Sequence, residues 1–159
     1  MKRQQEDYWL IKEWAQEFRN GLEYIRNNRL YGSLRMFANF PDDCCGYTSD
    51  LLAQYLLEKG IDRLRIQFAR SISDINDYTH CWLMIDEEYF LDITADQFNG
   101  KKYFKKYGTI EECILVERNS GFYEVFEKNN EFLRDFGIDS RSNMYELETI
   151  YEETLKYIA

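Results

Sequence analysis

Between Tyr8 and Ile25 the apolar side chains Ile11, Trp14, Ala15, Phe18, Leu22 and Ile25 recur three or four residues apart. That period lays one stripe along one side of a helix, so a first helix is expected there. Gly32 and Pro41 bracket a less regular stretch, which ends at the proline because the residue before a proline is pushed out of helical geometry. Helical spacing returns at Leu51, Leu52, Tyr55 and Leu56. A second helix is read from Cys45 to Lys59, with Gly60 at the position of a left-handed C-terminal cap. The period then shortens to two. Arg63 to Ala69 alternates polar and apolar as a strand does, and Ser71 to Asp77 reads as a polar loop. Tyr78 to Ile85 and Tyr89 to Thr94 are rich in aromatic and branched side chains, and Asp86-Glu87-Glu88 between them makes a hairpin connection. Ile110 to Val116 is a further expected strand, and Leu147, Ile150, Tyr151, Thr154, Leu155 and Ile158 mark a final amphipathic helix. The pattern defines an α+β class, with helices packed on an antiparallel sheet.

The 159 residues show no repeat or linker, so residues 1–159 are read as a single domain. Hydrophobic residues make up 45% and aromatic residues 17%, enough to fill a core without a disulfide or a metal. Twenty basic against twenty-nine acidic side chains leave a net charge of -9, which argues against nucleic acid as a partner. The short basic cluster Lys101, Lys102, Lys105 and Lys106 reads as a solvated face. No apolar run reaches the length of a membrane span, and the N-terminal stretch has helical periodicity with acidic residues where a secretory leader needs an unbroken apolar run. A cytoplasmic protein with reduced thiols, and no membrane partner, is expected. The four cysteines lack disulfide-framework spacing. Cys44, Cys45, His80, Cys81 and Cys113 are residue types that zinc takes, but adjacent cysteines and the missing C-x-x-C spacing argue against a metal site.

Cys45 stands where the second helix begins. A helix N-terminus favours a thiolate, because its unpaired N–H groups carry partial positive charge, and the same groups can hold an oxyanion. Gly46 beside it eases close approach of a substrate. A thiol nucleophile needs a base, and His80 is the one histidine of the chain. Twelve positions later, on the partner strand of the hairpin, Asp92 is placed to reach the far imidazole nitrogen and set its tautomer. Cys44 competes for the nucleophile's role, but a shift of one residue turns its side chain about 100° around the helix, which suits packing. Asp42 and Asp43, just upstream, are expected to raise a neighbouring thiol pKa. Trp82, on the face of His80 by strand alternation, and Gln97 are candidate substrate-binding residues, with Asp96 a supporting or turn-holding group.

The segments FPDDCCGYTSDLLAQYLLEKG and THCWLMIDEEYFLDITADQF resemble the transglutaminase-like branch of the papain-like cysteine enzymes, and the similarity spans about residues 39–118. The run at 92–98 is similar to segments of bacterial members of that branch. The resemblance implies a nucleophile at the head of a helix, a histidine on the first strand of a following hairpin and an aspartate on the next; these roles fall on Cys45, His80 and Asp92. The activity then expected is a cysteine-dependent hydrolase or acyl transferase that acts on an amide of a protein or peptide substrate through a thioacyl-enzyme. Peptidase, deamidase and transglutaminase all share that chemistry, and none of them calls for a cofactor. The alternative is a non-catalytic binding or regulatory module that keeps the fold and recognises a basic protein partner with its acidic surface.

Overall fold

Period-two alternation along the strands divides the molecule into a helical side and an aromatic side. The structure, a computed structural model, describes residues 2–70, 78–126, 132–134, 137–138 and 141–158. In chain order the main elements are α1 (Lys2–Asn27), α2 (Cys45–Glu58), β1 (Leu64–Arg70), β2 (Thr79–Ile85), β3 (Tyr89–Asp92), β4 (Ile114–Glu117), β5 (Phe132–Arg134) and α3 (Met144–Leu155). The five strands form one antiparallel sheet in the order β4-β3-β2-β1-β5. The fold is therefore α+β, with helices against an antiparallel sheet.

On β2, Cys81, Leu83 and Ile85 point to the helical side, while His80, Trp82 and Met84 point to the other. Leu64 and Ile66 of β1 and Leu91 of β3 join the helical side, where they meet Ile11, Ala15, Phe18 and Leu22 of α1 and Leu51, Leu52 and Leu56 of α2. Helix α3 adds Leu147, Ile150 and Tyr151 to the same cluster. Helices α1 and α3 approach closely at Gly21, where a Cβ would lie 2.9 Å from Cγ2 of Thr154. The opposite face of the sheet is covered by short 3-10 segments, Ala95–Phe98, Lys102–Tyr107 and Gly121–Val125. They supply Phe98, Phe104, Phe122 and Tyr123 to an aromatic cluster around Trp82 and Phe90. Because both faces are covered, β2 is buried from His80 onward except at Cys81, and the fold has two apolar layers.

The first helix extends beyond its apolar stripe at both ends, and the second runs from Cys45 as its periodicity predicts. Gly60, at φ 91°, holds the left-handed geometry that ends α2, and the main-chain N–H of Ile61 donates to Leu56 O at 2.9 Å. The hairpin turn sets Asp86 and Glu87 at φ 54° and 58°, with Ile85 opposite Tyr89. Two expectations change. The strand expected over Ile110–Val116 begins only at Ile114, because Asn99 exchanges hydrogen bonds with the main chain of Ile110 (2.8 Å each) and draws that residue out of the sheet. The strand expected to reach Thr94 ends at Asp92, because Thr94 donates its N–H back to the Asp92 carboxylate and starts a 3-10 turn. The polar loop read over Ser71 to Asp77 lies outside the described residues.

That 3-10 turn is pinned to α1 by Arg19, a guanidinium only 3% exposed. Its Nη1 and Nη2 donate to the two oxygens of Asp96 at 2.7 and 2.8 Å, and Nη1 also donates to Ile93 O at 2.7 Å. Nε donates to Glu23 at 2.8 Å. A buried charge is tolerated only when it is paired and its donors are used, and the Arg19 fork meets both conditions.

Candidate active site

Cys45 is the first residue of α2, after Cys44 with φ -139° and ψ 20°. The first intrahelical bond runs from Thr48 N to Cys44 O at 2.8 Å. The N–H groups of Cys45, Gly46 and Tyr47 therefore have no carbonyl partner within the helix. Ser49 Oγ donates to Cys45 O at 2.7 Å and fixes the first turn. The side chain of Cys45 is half-buried and meets the beginning of β2. Hydrogen bonding with the Cys81 side chain, then with His80 and with the Cys81 main chain, outweighs burial and pulls its pKa down to about 4. These contacts favour the thiolate form of Cys45.

His80 is fully buried. Its Nε2 lies 2.6 Å from Oδ2 of Asp92, so the carboxylate accepts a proton-bearing nitrogen. Burial alone would depress the imidazole pKa; the Asp92 carboxylate and then Cys45 reverse that and raise it to about 9. Asp92 is gripped on both oxygens. Tyr123 Oη donates to Oδ2 at 2.7 Å, and Thr94 donates to Oδ1 from its N–H at 2.9 Å and its Oγ1 at 3.2 Å. Burial pushes this carboxyl up, but His80 and these hydrogen bonds hold it below the ordinary carboxylate value. Tyr123 pays the reciprocal cost, since burial and the adjacent carboxylate keep its hydroxyl protonated far above its usual range.

The imidazole is also held by rings. Phe98 meets it edge-on with centroids 5.0 Å apart, and Trp82 lies at 5.4 Å and Phe126 at 6.0 Å. Such packing holds the ring with Nε2 spent on Asp92, which leaves Nδ1 for its remaining partners. Gln97 borders Nδ1: its Nε2 donates to Thr94 O at 2.9 Å and lies 3.3 Å from the ring nitrogen.

The structure brings Cys45, His80, Asp92 and Gln97 together. Trp82, by contrast, is 1% exposed and packs among His80, Phe90, Tyr123 and Phe126, so it supports the histidine from behind and presents no surface to a substrate. Asp96 pairs with Arg19 and holds the turn after β3. The expected effect of Asp42 and Asp43 falls on the neighbouring thiol instead of on Cys45. Cys44 points into the core, where burial first and then the charges of Cys45, Asp43 and Asp42 push it up to about 12. Its Sγ accepts a weak hydrogen bond from Thr48 Oγ1 at 3.6 Å.

Four contributors were missed in the linear sequence. Tyr123 lies 31 residues from Asp92 in an aromatic-rich segment that gives no periodic signal. Cys81 follows the histidine, and strand alternation put it on the opposite face; it does face the helical side, which is where the α2 N-terminus arrives. Arg141 approaches the same N-terminus, with Nη2 3.5 Å from the position a Gly46 Cβ would take. Only Thr94, with its short spacing to Asp92, had a local signature, that of an aspartate-headed turn.

Comparison of the chain with family models, with curated proteins and with solved structures finds no match. No helix among the described residues is long and apolar enough to cross a membrane.

Proposed function

We propose that this chain is a cysteine-dependent amide hydrolase of the papain-like, transglutaminase-like type, with Cys45 as nucleophile, His80 as acid and base and Asp92 as the group that orients the imidazole. The observation that carries this reading is the 2.6 Å bond from a fully buried His80 to Asp92, with a helix-head thiol beside the same imidazole. A structural histidine in an aromatic core needs neither a buried carboxylate nor a thiolate neighbour, and burying that carboxylate is costly unless its pairing is used.

In the proposed reaction the Cys45 thiolate adds to the carbonyl carbon of an amide, and the carbonyl electron pair moves to oxygen, where the N–H groups at the start of α2 receive it. His80, protonated on Nδ1 and Nε2, gives its Nδ1 proton to the amide nitrogen. The C–N bond breaks, the amine leaves, and a thioester to Cys45 remains. Water then attacks the thioester while Nδ1 takes a proton from it; the acid departs and the thiolate–imidazolium pair is restored. A lysine amine in place of that water would make the chain a transglutaminase. Hydrolysis is preferred because no second acceptor surface is needed for it.

The test is to incubate wild type and Cys45→Ser with a peptide mixture, quench in acid and weigh the intact protein. A thioester adduct on wild type alone, discharged by water to the free acid, is expected. Discharge mainly to the amide when a primary amine is added would make the acyl acceptor an amine. A wild-type protein whose Cys45 forms no adduct and alkylates at an ordinary thiol rate would favour the second reading, a non-catalytic module. That reading draws on the complete burial of His80.

A further inference from the structure

Arg141 sits beside the head of α2, held in a way that leaves half its fork unused. Its Nε donates to Asp50, a carboxylate that is fully buried and also accepts the N–H of Gly137 at 3.1 Å. Its guanidinium lies over the ring of Tyr47, 4.4 Å from the centroid. Among the described residues Nη1 and Nη2 make no hydrogen bond, although the side chain is 25% exposed. Nη2 lies 3.5 Å, and Cys81 Sγ 4.0 Å, from the point a Gly46 Cβ would occupy. The guanidinium and the Cys81 thiol thus both come within contact distance of residue 46, the neighbour of Cys45 in the chain.

A guanidinium fixed through Nε and by ring stacking presents two parallel N–H groups, the geometry that binds a carboxylate with both oxygens. The surroundings make the choice of ligand sharper. The chain carries a net charge of -9, so an anion is drawn here only by a local cation, and the unpaired N–H groups of α2 add to the same field. The anchor also stands beside Gly46, the residue that follows Cys45 in the chain.

We propose that Arg141 is a specificity residue that binds a carboxylate of the substrate next to the amide under attack. The substrate class is then an acidic peptide, in which the carboxylate is either the free C-terminal group or the side chain of Asp or Glu at the neighbouring position. This rests on Cys45 being the nucleophile proposed above.

The experiment compares alkylation of Cys45 by iodoacetate and by iodoacetamide, with the labelled residue identified by mass. Glutathione supplies the rate ratio of a thiol with no anchor. Wild type should favour the anionic reagent about tenfold beyond that ratio, and added salt should reduce the preference. Arg141→Gln should lose most of it and Arg141→Lys part of it, each read as the iodoacetate rate divided by the same variant's iodoacetamide rate. Because Arg141→Gln removes a charged donor from a buried carboxylate, the pair Asp50→Asn with Arg141→Gln is measured as well, and it should lose the preference in the same way.

Protection against iodoacetamide by N-acetylglycine identifies the C-terminal carboxylate as the group bound, and protection by the α-amide of N-acetylaspartate identifies the acidic side chain. Rapid iodoacetamide labelling with no anion preference, a preference that survives in the folded Arg141 variants, or protection by neither carboxylate overturns the assignment of Arg141 alone. Slow labelling by both reagents overturns the hydrolase reading and this assignment with it.

Discussion

Replacing Asp92 by asparagine changes one oxygen for an amide nitrogen and tests what the carboxylate does for the histidine. Oδ1 receives the N–H and Oγ1 of Thr94, so the asparagine must keep its oxygen there and turn its NH2 to the position of Oδ2. Tyr123 can rotate its hydroxyl to accept from that NH2, and His80 can accept at Nε2 only by moving its proton to Nδ1. The asparagine amide is then satisfied, and the fold should be kept at the cost of a Tyr123 O–H that has lost its acceptor. The imidazole, however, is now neutral with its proton on the nitrogen that should receive one. In wild type the Cys45 pKa is about 4 and the His80 pKa about 9, so iodoacetamide should label Cys45 at a nearly constant rate between those values. Without the imidazolium the thiol loses the His80 share of its shift but keeps the larger Cys81 share, so its pKa rises toward the ordinary value of about 8.5, at which about 1% would be thiolate at pH 6.5. The labelling rate at pH 6.5 should fall, by about a hundredfold at most, and the profile should shift its rise toward alkaline pH. Stopped-time alkylation read by mass gives the rates, and near-ultraviolet circular dichroism reports the fold. A folded Asp92→Asn protein that labels at the wild-type rate at pH 6.5 would refute the role given to the carboxylate.

The same pair leaves a trace in stability. Between pH 4 and 6.5 His80 is protonated in both folded and unfolded chains, while Cys45 is a thiolate only when folded. A depressed folded pKa stabilises above it and is lost as pH falls through it, so the stability of wild type relative to Cys45→Ser should rise with pH across that window by at most about 1.4 kcal/mol per unit; urea titrations at a series of pH values measure it, and a flat difference would count against the ion pair. Tyr123→Phe removes a 2.7 Å donor from a buried carboxylate and should cost about 1.5–3 kcal/mol in urea unfolding at pH 7. It should also move acid unfolding to higher pH, since Asp92 loses one of the bonds that keep it ionised. Arg19→Met strips the bidentate partner from Asp96 and a donor from Ile93 O, a loss of about 3–5 kcal/mol. Adding Asp96→Asn to that variant should restore part of the loss, whereas two independent, additive costs would show that the pair is not coupled.

The period of the apolar residues was enough to place both major helices, the β2–β3 hairpin and the alternation that separates His80 and Trp82 from Cys81 and Leu83. Such local patterns are legible because a helix or a strand repeats its geometry every few residues, so burial on one side leaves a period in the chain. The single histidine and its spacing to Asp92 across one hairpin belonged to the same level: two adjacent strands bring such residues together through local geometry. Tertiary structure decided the rest. Tyr123 reaches Asp92 from an aromatic segment without periodicity, Arg19 reaches Asp96 from a helix 77 residues away, and Arg141 reaches the head of α2 from beyond β5. The acidic pair Asp42–Asp43 shows the same limit, since their charge acts on buried Cys44 while Cys45 answers to Cys81 and His80. Adjacency in sequence says which groups are near along the chain; the field at a thiol depends on which groups are near in space and on how much water lies between them, and only packing sets those.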